Sequence, residues 1–143
     1  MTGERTGHFW DAVEGRTPMP AAAATLGWSL VRADTERGEI EVSFEATEEF
    51  LNPAGAVQGG FLTAMLDDTM GPALAATLGP GRFGATIELK VSFLRPARPG
   101  RLVGRGRVVH SGGTIAFLAG ELLDDTGQVV AVGSATARIV RTD

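Results

Sequence analysis

Apolar and polar residues alternate along two parts of the chain, on either side of a long segment that is apolar throughout. Before that segment, residues 28–33 and 39–46 predict a β-hairpin whose turn is Glu36-Arg37-Gly38. After Gly84 the alternation resumes, and turn-forming residues interrupt it repeatedly. It predicts four further antiparallel strands, at about residues 85–93, 101–111, 114–123 and 128–140.

The apolar segment predicts one buried helix from about Gly59 to Leu78. Pro72 cannot donate a hydrogen bond to the carbonyl of Asp68, so we expect a kink between these two residues. Two strands, one long helix and then four strands are typical of an α+β domain in which the sheet wraps around the helix.

Composition fits a single soluble globular domain over residues 1–143, of which residues 1–24 form an N-terminal helical or irregular segment. Hydrophobic residues make up 43% of the chain and charged residues 21%, which suffices for one core. No apolar run reaches the ~18 residues of a membrane span, and residues 1–8 lack the pattern of a signal peptide. We therefore expect a cytoplasmic protein that does not bind membranes.

Several kinds of chemistry are excluded at this point. The net charge of −4 argues against general nucleic-acid binding. Because the chain has no cysteine, it has no disulfide, no thiolate nucleophile and no cysteine-ligated metal. His8 and His110 are too isolated in sequence to form a metal pair. We expect neither a metal nor a redox cofactor.

Arginine is concentrated between the third and fourth predicted strands. Residues 95–107 contain no acidic residue and five arginines, namely Arg95, Arg98, Arg101, Arg105 and Arg107. One interpretation is a solvated strand face. The other is a phosphate-binding surface, since guanidinium groups bind phosphate well. Arginines without a nearby acid repel one another, which favours the second interpretation.

The central helix carries two features that indicate a catalytic site rather than scaffolding. It follows a turn-rich loop that ends in Gly59-Gly60, so its first N–H groups have no internal partner and lie at the positive end of the helix dipole. Asp67 and Asp68 lie near its middle, where burial of ionised carboxylates is costly unless they are paired.

Structural explanations remain open for these polar residues. Asp67 could be a core carboxylate bonded to backbone, and Gln58 could be an exposed amide at the start of the helix. Asp68 is rotated about 100° from Asp67 around the helix axis, so the two side chains cannot share one role. We interpret Asp68 as the structural residue of the pair, near Pro72.

The spacing along the helix predicts a dimer. Asp67 lies nine residues beyond Gln58, which is ~13.5 Å of helical rise and half a turn out of phase. An oxyanion donor and a base that serve one carbonyl must each lie within ~3 Å of the reacting groups. One straight helix cannot place both, whereas two antiparallel copies could. We therefore expect two active sites, each shared between two copies of the chain.

Over about residues 25–140 the chain resembles a hotdog-fold acyl-CoA thioesterase of the phenylacetate-degradation type. In that family a loop Asn precedes a His-Gly-Gly at the helix start, an Asp or Glu follows nine residues after the His, and a Ser or Thr begins the next strand. This chain has Asn52, Gln58-Gly59-Gly60, Asp67 and Thr86 at those positions. It departs from the pattern at Gln58, because an amide cannot act as an acid or a base.

The resemblance implies a hotdog fold whose dimer has one continuous sheet, or a dimer of such dimers. It also implies hydrolysis of an acyl-CoA thioester, with CoA as part of the substrate and no separate cofactor. The Gly59 N–H would form the oxyanion hole, and Asp67 of the other subunit would act as general base or, as an alternative, as nucleophile. Asn52 and Thr86 would position water or the carboxylate, and Gln58 would orient the carbonyl.

The remaining expected site residues bind substrate. The turn at residues 95–100 and the segment His110-Ser111-Gly112 resemble two further strand–turn segments of the family. Together with the apolar side of the helix they give the predicted substrate-binding set of Gly60, Phe61, Met65, Arg95, Arg98, Ser111 and Gly112.

Two other function classes remain open. A non-catalytic acyl-CoA-binding module would be consistent with Gln58 in place of histidine. An enoyl-thioester hydratase or dehydratase would need a histidine beside the acid, and none lies near this loop or helix. The predicted position of Thr86 in the site conflicts with the strand pattern. Regular alternation turns Thr86 away from the core, so a β-bulge or an edge position is needed to bring it to the site. The sequence does not identify the acyl group and indicates only that it is apolar.

Overall fold

The computed structural model describes residues 5–142 and contains one six-stranded antiparallel sheet packed around one long helix. The helices are α1 (His8–Val13), α2 (Ala21–Leu26) and α3 (Gly59–Ala75), with a short 3-10 turn at Glu48–Phe50. The strands are β1 (Ser29–Asp34), β2 (Glu39–Ala46), β3 (Arg82–Phe93), β4 (Gly100–Ser111), β5 (Ile115–Leu123) and β6 (Val129–Arg141).

The sheet order is β1-β2-β4-β5-β6-β3, and α3 contacts five of the six strands. The predicted α+β order and the predicted hotdog fold are therefore confirmed. The N-terminal segment contains α1 and much of α2, while its first four residues lie outside the described range. Within residues 5–142, every helix is too short or too polar to cross a bilayer.

The helix packs closely on the sheet because the strands beneath it carry glycine. A Cβ on Gly104 would overlap the Thr69 hydroxyl, and one on Gly106 would lie 2.8 Å from the Thr69 carbonyl oxygen. Thr69 itself is fully buried and donates its hydroxyl to the Met65 carbonyl at 2.7 Å. The side chains around this contact are apolar, and the side of α3 that faces the sheet is buried from Leu62 to Leu74. The opposite side is only partly covered, whereas the sequence predicts a helix buried almost all round.

Strand β3 lies at the edge of the sheet, and its alternation is broken at Ile87. Thr86 pairs with Ala137 and Glu88 pairs with Thr136, which leaves Ile87 as the extra residue of a β-bulge. Ile87 is 59% exposed. The unbroken alternation predicted for this strand is wrong, because the bulge changes the phase of the strand. The bulge that Thr86 needs in order to reach the helix is present.

Two tryptophans, Trp10 in the N-terminal segment and Trp28 just before β1, pack against the second half of α3 and the residue that follows it. Trp10 is buried, and its indole N–H donates to the carbonyl of Ala76 at 3.2 Å. Trp28 donates its indole N–H to the carbonyl of Asp68 at 2.8 Å. Pro72 leaves that carbonyl without its helical donor, and Trp28 supplies the missing hydrogen bond. The kink expected there stays a prediction.

Candidate active site

Asp67 and Thr86 meet between α3 and β3. The Thr86 hydroxyl donates to Oδ1 of Asp67 at 2.8 Å, although the two residues lie on different elements. Oδ2 of Asp67 accepts no hydrogen bond from the part of the chain that the structure describes, so it remains available to another donor. The structure therefore brings together two of the site residues predicted from the sequence. We call this pair the carboxylate half-site.

Asp68 lies beside the carboxylate half-site and has an unusual environment. Its Oδ2 is buried and has no hydrogen-bond partner among residues 5–142. Burial raises the pKa of the Asp68 carboxyl to about 6, and the negative charge of Asp67 adds to the rise. The structural role predicted for Asp68 applies to its backbone carbonyl, which bonds to Trp28. Its side chain borders a cavity.

That cavity has a volume of about 520 Å³ and lies between the N-terminal segment, the second half of α3 and the start of β3. Asp67, Asp68 and Thr86 form part of its wall. Most of the remaining wall is apolar and includes Phe9, Val13, Met19, Trp28, Pro72 and Phe83. This size is within the range of small-molecule sites.

The sequence did not identify this cavity. Its apolar lining comes largely from α1 and from Trp28, whose sequence pattern is too short to show which face is buried. The only signal was the presence of several aromatic residues in a segment without strand or helix periodicity. None of the substrate-binding residues predicted from the sequence lines the cavity.

The start of α3 presents free N–H groups, which we call the glycine half-site. Phe61 and Leu62 are the first helical residues to donate backward, both to the Gln58 carbonyl. The N–H groups of Gly59 and Gly60 thus have no acceptor within the described chain. A Cβ on Gly59 would lie 3.0 Å from the ring of Phe93, so the position favours glycine. Free N–H groups are therefore present at the helix start, and the role of the Gly59 N–H as an oxyanion hole stays a prediction.

Backbone hydrogen bonds hold this helix start in place. The Val57 N–H donates to the carbonyl of Ala97 at 2.9 Å, and the Gln58 N–H donates to the carbonyl of Phe50 at 2.8 Å. Asn52 shapes the preceding loop, since its Oδ1 accepts from the N–H groups of Ala54 and Ala56 at 2.9 and 3.1 Å. The Gln58 side chain is exposed and makes no capping hydrogen bond.

The two half-sites do not meet within one copy of the chain. Gly59 and Asp67 are both on α3, and eight residues of helix separate them by ~12 Å along the axis. The cavity is lined by Asp67 and Thr86 but by no residue of the glycine half-site. The separation that the sequence predicts is therefore present in the structure.

Three of the five clustered arginines face glutamates across the sheet. Register pairs Arg101 with Glu45, Arg105 with Glu41 and Arg107 with Glu39. Arg105 Nε lies 2.9 Å from Glu41 Oε1. The arginines of β4 therefore do have acids nearby, contrary to the prediction that they repel one another. Residues 95–107 read as a stretch of sequence do not show which residues pair across strands.

Arg95 and Arg98 lie apart from that ladder, in the exposed turn after β3. The Arg95 guanidinium approaches Gln128 Oε1 at 3.4 Å. Hydrogen bonds donated by Thr126 and Gln128 lower the pKa of Asp124, and the charge of Arg95 adds a smaller contribution. The same turn contains Ala97, whose carbonyl accepts from Val57. This hydrogen bond brings the turn with the two arginines next to the loop that leads into the glycine half-site, although the two segments are far apart in sequence.

The other predicted substrate-binding residues are dispersed. Phe61 stacks on Phe50 with ring centroids 4.1 Å apart, and Met65 is fully buried in the core. Ser111 and Gly112 are exposed at the end of β4. Ser111 is in the same cross-strand row as Thr86. Because β5 and β6 lie between their strands, the backbones of the two residues are ~14 Å apart.

Comparison with known proteins identifies relatives of this fold and site. Residues 54–131 match a family model described as the thioesterase superfamily. A phenylacetic acid degradation-related protein from Ralstonia eutropha JMP134 is 43% identical, with a TM-score of 0.89 over 92% of this chain and 99% of that chain. Acyl-coenzyme A thioesterase 13 from Homo sapiens is 27% identical over 104 residues, which is 71% of this chain and 74% of the relative.

A more distant structure shows the same fold. The PaaI protein from the phenylacetic acid degradation operon of E. coli is 22% identical, with a TM-score of 0.80 over 94% of both chains.

Proposed function

Because the chain belongs to the thioesterase superfamily, a family of thioester hydrolases, we propose that it hydrolyses an acyl-CoA thioester to the free acid and CoA. The hydrogen bond between Thr86 and Asp67 at the wall of an apolar cavity carries this proposal. A carboxylate held by one oxygen beside an apolar chamber suits the hydrolysis of an ester with an apolar acyl group. The human relative named as an acyl-coenzyme A thioesterase supports CoA as the thiol.

In the proposed reaction Asp67 is the general base. Thr86 fixes Oδ1, so Oδ2 accepts the proton of a water molecule that attacks the thioester carbonyl. The new C–O bond gives a tetrahedral intermediate, and its collapse breaks the C–S bond. The proton held by Asp67 is then available to the departing sulfur. Attack by Asp67 itself, with an anhydride intermediate, is the alternative for the same residue.

The glycine half-site supplies the oxyanion hole in this proposal. The free N–H groups of Gly59 and Gly60 lie at the positive end of α3, where they stabilise the negative oxygen of the intermediate. Gln58 follows the same loop and orients the carbonyl through its amide. Asn52 uses its Oδ1 within the loop, which leaves its Nδ2 donor to position water or substrate.

The proposal needs two copies of the chain, because one copy separates the half-sites. An antiparallel arrangement of two α3 helices puts the glycine half-site of one copy opposite the carboxylate half-site of the other. The edge position of β3 supports such pairing: its backbone has one unpaired side, and Phe83, Ile87 and Phe93 are each about half exposed. A dimer of such dimers stays a prediction.

Arg95 and Arg98 are the proposed contacts for the CoA phosphates. They are exposed and lie beside the helix start, where the CoA moiety would leave the site. Unlike the arginines of β4, they do not face a glutamate of β2. Guanidinium groups in this position attract phosphate over a range set by ionic strength.

A thiol-release screen tests the proposed function. Acetyl-, hexanoyl-, palmitoyl- and phenylacetyl-CoA are offered to the wild-type protein and to Asp67→Asn, which keeps the shape of the site but removes the base. We expect turnover of at least one ester by the wild type and a large loss in the variant. Binding of these esters without turnover would instead indicate a non-catalytic module. Hydration of crotonyl-CoA without thiol release would indicate a hydratase.

A further inference from the structure

The wall of the cavity includes Asp68, whose carboxylate receives no hydrogen bond from the described chain. Asp68 Oδ2 is buried, and no donor among residues 5–142 reaches it. The other titratable or charged groups around the cavity are His8 on α1, Asp67 on α3 and Arg82 on β3. None of them forms an ion pair or a hydrogen bond with Asp68 within the described chain. A buried acceptor of this kind costs free energy unless a donor is supplied from outside.

The fold does not require this side chain. The contact between Asp68 and Trp28 uses the backbone carbonyl, which any residue would provide. The carboxylate lies near a second negative charge and in apolar surroundings, so an amide or an apolar side chain would be less costly there. An acidic residue whose charge costs free energy at the wall of a cavity is a candidate for ligand binding.

We propose that Asp68 determines substrate specificity by accepting a hydrogen bond from a hydroxyl or amino group on the acyl chain. The inference rests on the proposed function, because it assumes that the acyl group occupies this cavity. Adjacent Cα atoms are ~3.8 Å apart. Since Asp67 works at the thioester carbonyl, the donor reached by Asp68 belongs within the first few carbons of the acyl chain. A 3-hydroxyacyl group meets this requirement.

The test compares hexanoyl-CoA with 3-hydroxyhexanoyl-CoA. For the wild type we expect kcat/KM to be about tenfold to a hundredfold higher for the hydroxylated ester, which is the value of one hydrogen bond to a buried charge. Asp68→Leu should abolish or reverse this preference while it still hydrolyses hexanoyl-CoA. Asp68→Asn keeps one acceptor oxygen and should retain an intermediate preference. Asp125→Asn removes a charge from the exposed turn before β6 and serves as the matched control.

A pH series on the wild type gives a second readout that needs no variant. The Asp68 carboxyl, with its pKa raised to about 6, ionises as pH rises through that value and becomes the better acceptor. The ratio of kcat/KM for the hydroxylated and plain esters should therefore rise between pH 5 and pH 7. Effects of pH on the reaction steps that the two esters share act on both equally, so they cancel in the ratio.

Binding measurements separate failure of the inference from failure of the proposed function. If folded wild type turns over neither ester of this pair nor any ester of the thiol-release screen, the proposed function fails, and calorimetric Kd values for the two esters then test Asp68 directly. The inference is overturned if the ratio of kcat/KM, or of Kd, for the hydroxylated and plain esters is near one at every pH and is the same in Asp68→Leu. That result would mean that solvent or the second subunit satisfies Asp68.

Discussion

The start and the middle of α3 supply chemistry in different ways. At the start, Gly59 and Gly60 offer backbone donors because the first N–H groups of a helix have no internal acceptor. In the middle every N–H is used within the helix, so reactivity has to come from side chains, here Asp67 with Thr86. In the proposed reaction one helix thus contains the electrophilic half-site and the basic half-site. They are ~12 Å apart along the axis, so the proposal needs a second helix to bring both to one carbonyl.

The largest expected effect comes from removing the base in the middle of α3. Asp67→Asn should lower kcat for the best CoA ester by ~10²–10⁴-fold, because the amide cannot accept the proton of water. The hydrogen bond from Thr86 can still be made to the amide oxygen, and the loss of charge relieves repulsion on Asp68. We therefore expect the Tm to be equal or higher. Steady-state kinetics and thermal melts measure the two effects.

Asp68→Asn is the control for that variant, since it removes the neighbouring charge without touching Thr86. It should keep most of its activity toward hexanoyl-CoA. Normal turnover by Asp67→Asn would refute the assignment of the base. An inactive but folded Asp68→Asn would transfer the role to Asp68.

Subunit mixing tests whether the two half-sites belong to different chains. Gly59→Val should inactivate the glycine half-site, because even its Cβ would approach the Phe93 ring to 3.0 Å and so displace the N–H. Co-expression with Asp67→Asn creates mixed dimers with one intact site and one doubly altered site. Random pairing makes half of the dimers mixed, so activity should recover to about a quarter of wild type.

Each variant expressed alone provides the baseline for the mixing experiment. Light scattering at micromolar concentration should give at least twice the chain mass for all forms. Absence of recovery in verified mixed dimers would contradict the shared site. An active monomer would contradict the need for a second chain.

The turn after β3 gives a smaller effect, on substrate binding. Changing both Arg95 and Arg98 to alanine should raise KM for the CoA ester by about fivefold to twentyfold, since each charge near a phosphate contributes a fraction of a kcal/mol to 1 kcal/mol in exposed positions. It should also make KM less sensitive to salt.

Arg101→Ala is the control, because it removes an arginine that faces Glu45 on β2 and should change KM little. Kinetics with a short thioester that lacks phosphate should be unchanged. Equal losses on both substrates would assign the arginines to structure.

These comparisons show what the sequence could predict. The α+β order, with a sheet wrapped around one helix, follows from alternation and one apolar segment, both of which depend on neighbours in sequence. The more specific prediction of a hotdog fold came from the family resemblance. The pairing of Asp67 with Thr86 was also predictable, but only through the resemblance, because strand alternation turns Thr86 outward. The bulge at Ile87 that resolves this is a property of pairing with β6.

The features that were missed depend on contacts between distant segments. The glutamates opposite Arg101, Arg105 and Arg107 come from β2, far away in sequence. The cavity wall comes from α1, whose position is set by the docking of Trp10 on Ala76. Met65 looked like a pocket residue because apolar residues on a helix look alike in sequence, whereas the packing of α3 on the sheet buries it completely.

The smallest expected effect distinguishes the two adjacent carboxylates by stability rather than activity. Burial raises the pKa of Asp68 from its usual 3.8 to about 6, so between these values the folded state binds more protons than the unfolded state. The free energy of unfolding therefore falls as pH rises from about 4 to 6, and the cost of the buried charge, at most about 3 kcal/mol, stays constant above that window. Asp68→Asn removes this cost. It should raise the Tm by roughly 3–8 °C at pH 7.5 and change it little at pH 4, while Asp125→Asn should leave both values unchanged. A lower Tm for Asp68→Asn at pH 7.5 would show that the assembled protein supplies a donor to this carboxylate.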